Sequence, residues 1–393
     1  MNNSIRLQLS FMMFLEYFIW GAWYVTVNTY MVTNLQATGQ EVSYAYMALA
    51  IATMISPFIV GMIADRYFSA QKIMGVLHLA GAAALLLASL TSNTYLFIGI
   101  VLVYSLLYMP TIALSNSVAF SQMADPGKQF PGVRTFGTVG WIVAGLLIGY
   151  LAIEKTANIF YIAAGASALL GLFCFSLPDV PPKGKGDSAA QVLGTEAFVL
   201  FRNRSYVVFF ISAVLICIPL SFYYSFANLY LNEAGMENAA GKMIYGQISE
   251  ALFILAIPFL LRRIGVKKML LVGMGAWVLR YICFAYGDIG ANLWMLYTGI
   301  ILHGICYDFF FVTGYMYTEN RAGEKIKSAA QGLFTFATYG LGMVIGTLFS
   351  GMVADYYILN GTRQWQSIWM VPVYIAAAVM IYFMLAFRDK KPV

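Results

Sequence analysis

Hydrophobic positions along this chain gather into long unbroken runs, without the alternation of a half-buried strand or the single stripe of a surface helix. The runs cover about residues 9–32, 43–64, 73–91, 94–120, 135–153, 157–177, 205–232, 243–261, 269–287, 292–318, 328–354 and 368–387. Each is about as long as a helix must be to cross a hydrocarbon core. Membrane β-strands would alternate over about ten residues, so the pattern predicts an all-α integral membrane protein with twelve transmembrane helices. One polar interruption stands apart, Asp179-Val-Pro-Pro-Lys-Gly-Lys-Gly-Asp-Ser188, whose proline, glycine and charge mark a flexible connector. It separates a six-helix bundle over 1–178 from a second over 205–393. The linker, 179–204, ends in a short amphipathic segment. Six spans, a linker and six more is the pattern expected of two related bundles.

Charge then orients the spans. Charged residues make up 10% of the chain and hydrophobic ones 61%, against about a quarter charged in soluble domains. With both termini in the cytoplasm, nearly every Lys and Arg falls in a cytoplasmic segment. The exceptions are Lys155, Lys242, Arg363 and the mid-span Arg280. Short basic loops stay inside, so a wrong span count would scramble this asymmetry. The net charge of +6 is therefore an orientation signal, scattered over seven segments and unlike a nucleic-acid stripe. The first apolar run carries Glu16, Trp20 and Trp23 and no small-residue cleavage site, so it reads as a retained helix. Cys174, Cys217, Cys283 and Cys306 all lie within spans, without CxxC spacing, and are expected to pack.

Ionisable groups inside the apolar runs carry the chemistry, because a charge at that depth is expensive. Gln247 and Glu250 stand three apart and share a helix face, with Glu250 a natural proton carrier. His303 and Tyr307 stand four apart with Asp308 next around the helix, a combination suited to a planar, hydrogen-bonding solute. Asp308 is expected to carry a proton or to pair with Arg280, which needs an acidic partner in mid-span. Arg134, Thr138 and Trp141 form one stripe of cation, hydroxyl and aromatic ring. Ser221, Tyr224 and Asn228 form a second, Glu16, Trp20 and Trp23 a third, and Asn116 lies in span four. Trp23 and Tyr24 also suit an interfacial aromatic belt. There is no HExxH, GxSxG or GxxxxGK[ST], so neither hydrolysis nor ATP-driven pumping has visible machinery.

The loop Gly61-Met-Ile-Ala-Asp65-Arg66-Tyr-Phe-Ser-Ala-Gln-Lys72 and its counterpart Arg262-Arg263-Ile-Gly265-Val-Lys267-Lys268 resemble the signature loop of the major facilitator superfamily. Asp65 and Arg66 there can pair with or cap neighbouring helix ends. Over essentially its whole length the chain resembles the bacterial nucleoside:proton symporters of that superfamily. The resemblance is carried by Phe18-Ile-Trp-Gly-Ala-Trp23, Tyr108-Met-Pro-Thr-Ile-Ala-Leu-Ser-Asn116, Phe130-Pro-Gly-Val-Arg134 with Gly137-Thr138, and Gln247-Ile-Ser-Glu250. Trp277-Val-Leu-Arg280 through Asp288, Asp308-Phe-Phe310 and Ala330-Gln-Gly332 complete it. It implies a major facilitator fold and a central nucleoside site, with sugar hydroxyls on polar groups and the base stacked on aromatics. Arg134, Thr138, Gln247, Glu250 and Asp308 match the family's polar site residues. Ser221 stands where well-known members have Gln, Tyr224 where they have Asn, His303 where they have Tyr, Trp141 and Tyr307 where they have Phe, and Glu16 where they have Gln.

These features predict a proton-coupled importer of nucleosides working by alternating access in the bacterial inner membrane. Arg134, Thr138, Trp141, Ser221, Tyr224, Gln247, Glu250, His303 and Tyr307 would bind substrate. Asp308 and Glu250 would carry protons. Glu16, Arg280, Asp65 and Arg66 would form ion pairs or steer conformation. The protein is expected to be no enzyme, to need no cofactor beyond the proton gradient and no metal, to bind no nucleic acid, and to act as a monomer among membrane lipids. A proton symporter for a sugar or other polyol on the same scaffold is the alternative.

Overall fold

Apolar runs with satisfied backbone hydrogen bonds have to become helices in lipid, and helices account for nearly all of the computed structural model. It describes residues 2–60, 65–182 and 194–388, without the side chains at 57, 65, 126, 127 and 324. The expected roles of the Asp65 side chain and of linker residues 183–193 therefore fall outside the described residues.

The first half comprises α1 (Asn3–Trp23), α2 (Val27–Asn34), α3 (Gly39–Phe58), α4 (Ala70–Leu90), α5 (Thr94–Ser121), α6 (Pro126–Tyr150) and α7 (Asn158–Cys174). The second comprises α8 (Arg204–Glu233), α9 (Ala239–Tyr286), α10 (Leu293–Tyr307), α11 (Thr313–Thr335), α12 (Met343–Tyr356) and α13 (Trp365–Ala386). The first predicted span is thus two helices, broken at residues 24–26. Spans eight and nine run together as α9, with a corner at Gly265 (φ 76°) that suits a residue without a Cβ. Between α10 and α11 the chain widens into a π-helical turn, Asp308–Val312, and between α11 and α12 into another, Phe336–Gly342. Such turns cluster at functional sites. The end of the expected linker, Thr195–Arg202, forms 3₁₀ turns.

By packing, the chain divides into one unit of residues 1–37 with 51–192 and another of residues 38–50 with 193–393. The segment at the start of α3 thus groups with the second half. Its first N–H groups, on Gly39 and Gln40, donate to the two oxygens of Asp355 at 2.6 and 2.8 Å, a carboxylate cap on a helix N-terminus. In the first unit α1 lies between α6 and α7, and α4 packs on α5 and α7. In the second, α9 packs on α10 and α13, and α8 on α12 and α13.

Two glycine-lined crossings place the groups of interest. At Gly140 of α6 an added Cβ would lie 2.1 Å from the Phe14 carbonyl oxygen of α1. At Gly304 of α10 it would lie 2.5 Å from the Glu250 nitrogen of α9. Backbones approach this closely only where a side chain is absent. Outward-facing residues such as Leu86, Leu87, Leu172 and Leu385 are exposed, which suits a lipid-facing surface. Eight helical stretches among the described residues are long and apolar enough to span a bilayer, the 48-residue α9 among them.

Two smaller features shape the ends. Asp288 closes the turn after α9 by accepting from the Asn292 side chain (2.8 Å) and from the N–H groups of Asn292 and Gly290. These donors, the Asn292 amide first, hold its carboxyl below the usual carboxylate range. Just past the Gly265 corner, the Lys267 ammonium donates to the carbonyls of Met384 (2.8 Å) and Phe387 (2.7 Å), capping the end of α13.

Candidate functional site

In the second unit the Gly304 crossing brings Glu250 of α9 to His303 of α10. Glu250 Oε2 lies 3.7 Å from His303 Nε2. Ser249 pins the crossing by donating to the Ile301 carbonyl at 2.6 Å. The Glu250 side chain keeps 33% of its exposure and His303 only 2%, so the carboxylate looks out and the imidazole is the wall behind it. Aromatic rings surround them: Tyr223 lies 5.0 Å from the His303 ring, Tyr307 5.8 Å and Tyr224 6.5 Å. The Tyr339 hydroxyl donates to that of Tyr307 at 2.6 Å. Gln247, one turn before Glu250 on α9, is half-buried.

Arg280 does not pair with Asp308. Its Nη1–H donates to His303 Nδ1 at 3.0 Å, and its guanidinium sits 3.5 Å above the Tyr223 ring. Trp277 and Phe284 flank it at 5.7 Å. The aromatic faces supply the negative potential that an acid was expected to provide. Asp308, the first residue of the π-helical turn, is fully buried, and neither carboxyl oxygen has a hydrogen bond among the described residues. Ser221 is turned into helix packing. Its hydroxyl donates to the Ile218 carbonyl at 2.7 Å, beside Gly346.

The first unit holds a separate cluster. Arg134 of α6 stands over the Tyr17 ring of α1 at 4.0 Å, and Trp141 meets Trp20 edge-on at 5.4 Å. Thr138 lies between them on α6, half-buried. Glu16 belongs elsewhere, in a sealed network. Its Oε2 is 2.9 Å from His78 Nε2, Thr111 contacts its Oε1 at 2.6 Å, and the Tyr108 hydroxyl donates to its carbonyl at 2.6 Å. Trp23 and Tyr24 are core residues and not a belt: Trp23 packs on Tyr104 at 5.5 Å and on Phe160, with almost no exposure. Arg66 is exposed and lies over the Tyr67 ring at 5.2 Å.

Sequence reasoning missed Tyr17, Tyr223 and His78. Each is the partner that a charge placed in an apolar span has to find, and that requirement was the one signal available. The network around Glu16 makes its own forecast. The Ser167 hydroxyl donates to the His78 carbonyl (2.8 Å), so it accepts from the His78 Nδ1–H (3.4 Å), which leaves Nε2 facing Glu16. In Glu16→Gln an amide donates to the bare Nε2 and its oxygen accepts from Thr111. The thermal midpoint in detergent should stay near wild type. His78→Leu strands the carboxylate and should destabilise by about 3–5 kcal/mol.

Long apolar helices packed into bundles, with acids buried inside them, are the architecture of a secondary transporter of the major facilitator fold. The chain matches the nucleoside H+ symporter family over residues 1–392 and belongs to it. It is 42% identical to the putative nucleoside transporter YegT of Escherichia coli (97% of this chain, 93% of the relative). It is 37% identical to that organism's xanthosine permease (98% and 96%). The crystal structure of nucleoside transporter NupG superposes with a TM-score of 0.91 at 32% identity, covering 99% of this chain and all of the other. The protein is a multi-pass inner-membrane transporter that couples nucleoside movement to protons by alternating access.

Proposed function

We propose that Glu250 is the polar centre of the nucleoside site and that Asp308 carries the coupled proton. The observation that supports this is the half-open Glu250 carboxylate in mid-helix, backed by His303 and ringed by Tyr224 and Tyr307. A carboxylate accepts from sugar hydroxyls or base N–H groups, and tyrosines supply a stacking surface for the base. Gln247 lies on the same face of α9. We further propose that Arg134, Thr138 and Trp141 bind substrate. Ser221, with its hydroxyl spent on its own helix, contributes room more than a hydrogen bond.

The bundles over 1–178 and 205–393, joined by 179–204, are the halves that alternate. Both termini lie in the cytoplasm, in keeping with the basic residues at Arg66, Arg262, Arg263 and Lys267.

The experiment is uptake of labelled uridine, adenosine and xanthosine into proteoliposomes, with unlabelled sugars as competitors and simultaneous pH recording. Glu250→Gln should raise the apparent Km at least about tenfold, the worth of a hydrogen bond to a charged group. Unchanged Km and unchanged pH dependence in that variant would remove Glu250 from the site.

A further inference from the structure

We infer that Arg280 is a positioning residue for transport: it fixes the tautomer of His303 so that the imidazole offers Glu250 an N–H and never accepts a proton from it. The inference rests on the reading of Glu250 as a substrate-site group and adds what sets the polarity of the wall behind it.

A guanidinium has only donors. With Arg280 Nη1 3.0 Å from His303 Nδ1, that nitrogen has to be the acceptor, and the ring carries its hydrogen on Nε2. Nε2 is the atom that faces Glu250 Oε2, at 3.7 Å. The polarity therefore runs from Arg280, through its hydrogen bond to His303 Nδ1, to an Nε2–H that faces Glu250 from 3.7 Å, just beyond hydrogen-bond distance. Reversal would require the Nδ1–H tautomer, whose N–H points at a donor-only guanidinium, or an imidazolium, which sets two like charges at hydrogen-bond distance in a buried setting. Arg280 is held for this task by the Tyr223 ring beneath it, and Tyr223 also lies against the His303 ring at an interplanar angle of 26°. Its Nε and Nη2 have no hydrogen-bond partner among the described residues, while Nη1 makes the bond to His303.

Among the described residues, the titratable groups against His303 are Glu250 and Arg280 from α9, Tyr223 and Tyr224 from α8, and Tyr307 from α10 itself. Arg280 is the one cation in that set. The consequence is a fixed acceptor–donor pair on the site wall, Glu250 oxygen beside His303 Nε2–H, which complements a solute group that both donates and accepts, such as a hydroxyl. When Glu250 takes up a proton it has no acceptor on His303 and has to donate elsewhere. Protonation of Glu250 is thereby turned toward the substrate.

The test starts on the unaltered protein. The chain has two histidines, so 15N-histidine labelling gives two rings, and His303→Asn assigns them. The expected spectrum shows His303 with a bare Nδ1 and a protonated Nε2 from about pH 5 to 8, with no imidazolium. An Nδ1–H tautomer or an imidazolium within that range overturns the proposal, whatever the variants do. Arg280→Met should mix the tautomers or let the ring titrate, and raise the Km about tenfold while maximal exchange at saturating nucleoside changes less. Arg280→Lys, which keeps a donor-only cation, should restore part of the tautomer preference. If the tautomer is as stated but Glu250→Gln leaves binding unchanged, the site assignment fails and the Arg280–His303 relation stands. A variant of Arg280 that alters Km with the His303 spectrum unchanged would sink the relation instead.

Discussion

Replacing Asp308 by Asn is expected to abolish proton-driven nucleoside accumulation while leaving exchange at equal concentrations intact. The carboxyl is fully buried at the start of a π-helical turn and has no hydrogen-bond donor among the described residues. An ion so placed costs several kcal/mol. A proton arriving there removes that cost, which is the condition for a carrier that reorients only when loaded. Asparagine keeps the shape and mimics the neutral form permanently. One proton moving through about 100 mV supplies about 2.3 kcal/mol, enough for roughly 50-fold accumulation of a neutral solute. The variant should lose that factor in proteoliposomes with an imposed potential and inside-alkaline gradient. Accumulation equal to wild type, with its pH dependence preserved, would move the coupling to Glu250.

Gly304→Ala should be nearly as damaging, for a different reason. The added methyl would sit 2.5 Å from the Glu250 nitrogen and 2.6 Å from the Ser249 hydroxyl, so α9 and α10 have to part. Parting breaks the Ser249–Ile301 bond and pulls Glu250 from His303. Overpacking of this kind costs about 1–3 kcal/mol, and uptake should fall by more than about tenfold. Gly165→Ala on α7, where a methyl meets nothing within 4 Å, is the control. It should be neutral or raise the midpoint slightly, because alanine suits a helix better. A Gly304 variant that unfolds and transports like the Gly165 one would mean that the crossing has slack.

The spans, their number and the acids worth attention were legible in the sequence because each is a local property. A run of apolar residues has to cross the bilayer wherever its neighbours lie, and a buried charge stands out in it. Partners were not legible. An arginine in mid-span needs compensation, and the sequence offers Asp308 as a candidate partner for Arg280. The fold compensates it instead with the faces of Tyr223, Trp277 and Phe284 and a bare imidazole nitrogen. Spacing along one helix gives a face and cannot say which helix meets it. Gly140, Gly246 and Gly304 hold that information, since only their close crossings fix which faces touch. The same gap hid the Glu16–His78 pair, whose members lie 62 residues apart. It also made Trp23 suit a membrane belt when it fills the core between α5 and α7.

The ammonium of Lys267 on the carbonyls of Met384 and Phe387 sets a working limit on how this protein can be handled. A reporter or affinity tag appended after Arg388 leaves both acceptors in place. Trimming the chain back to Phe383 deletes them and frees a lysine at the end of the final helix. Tail deletions intended to help crystals grow should stop short of that point.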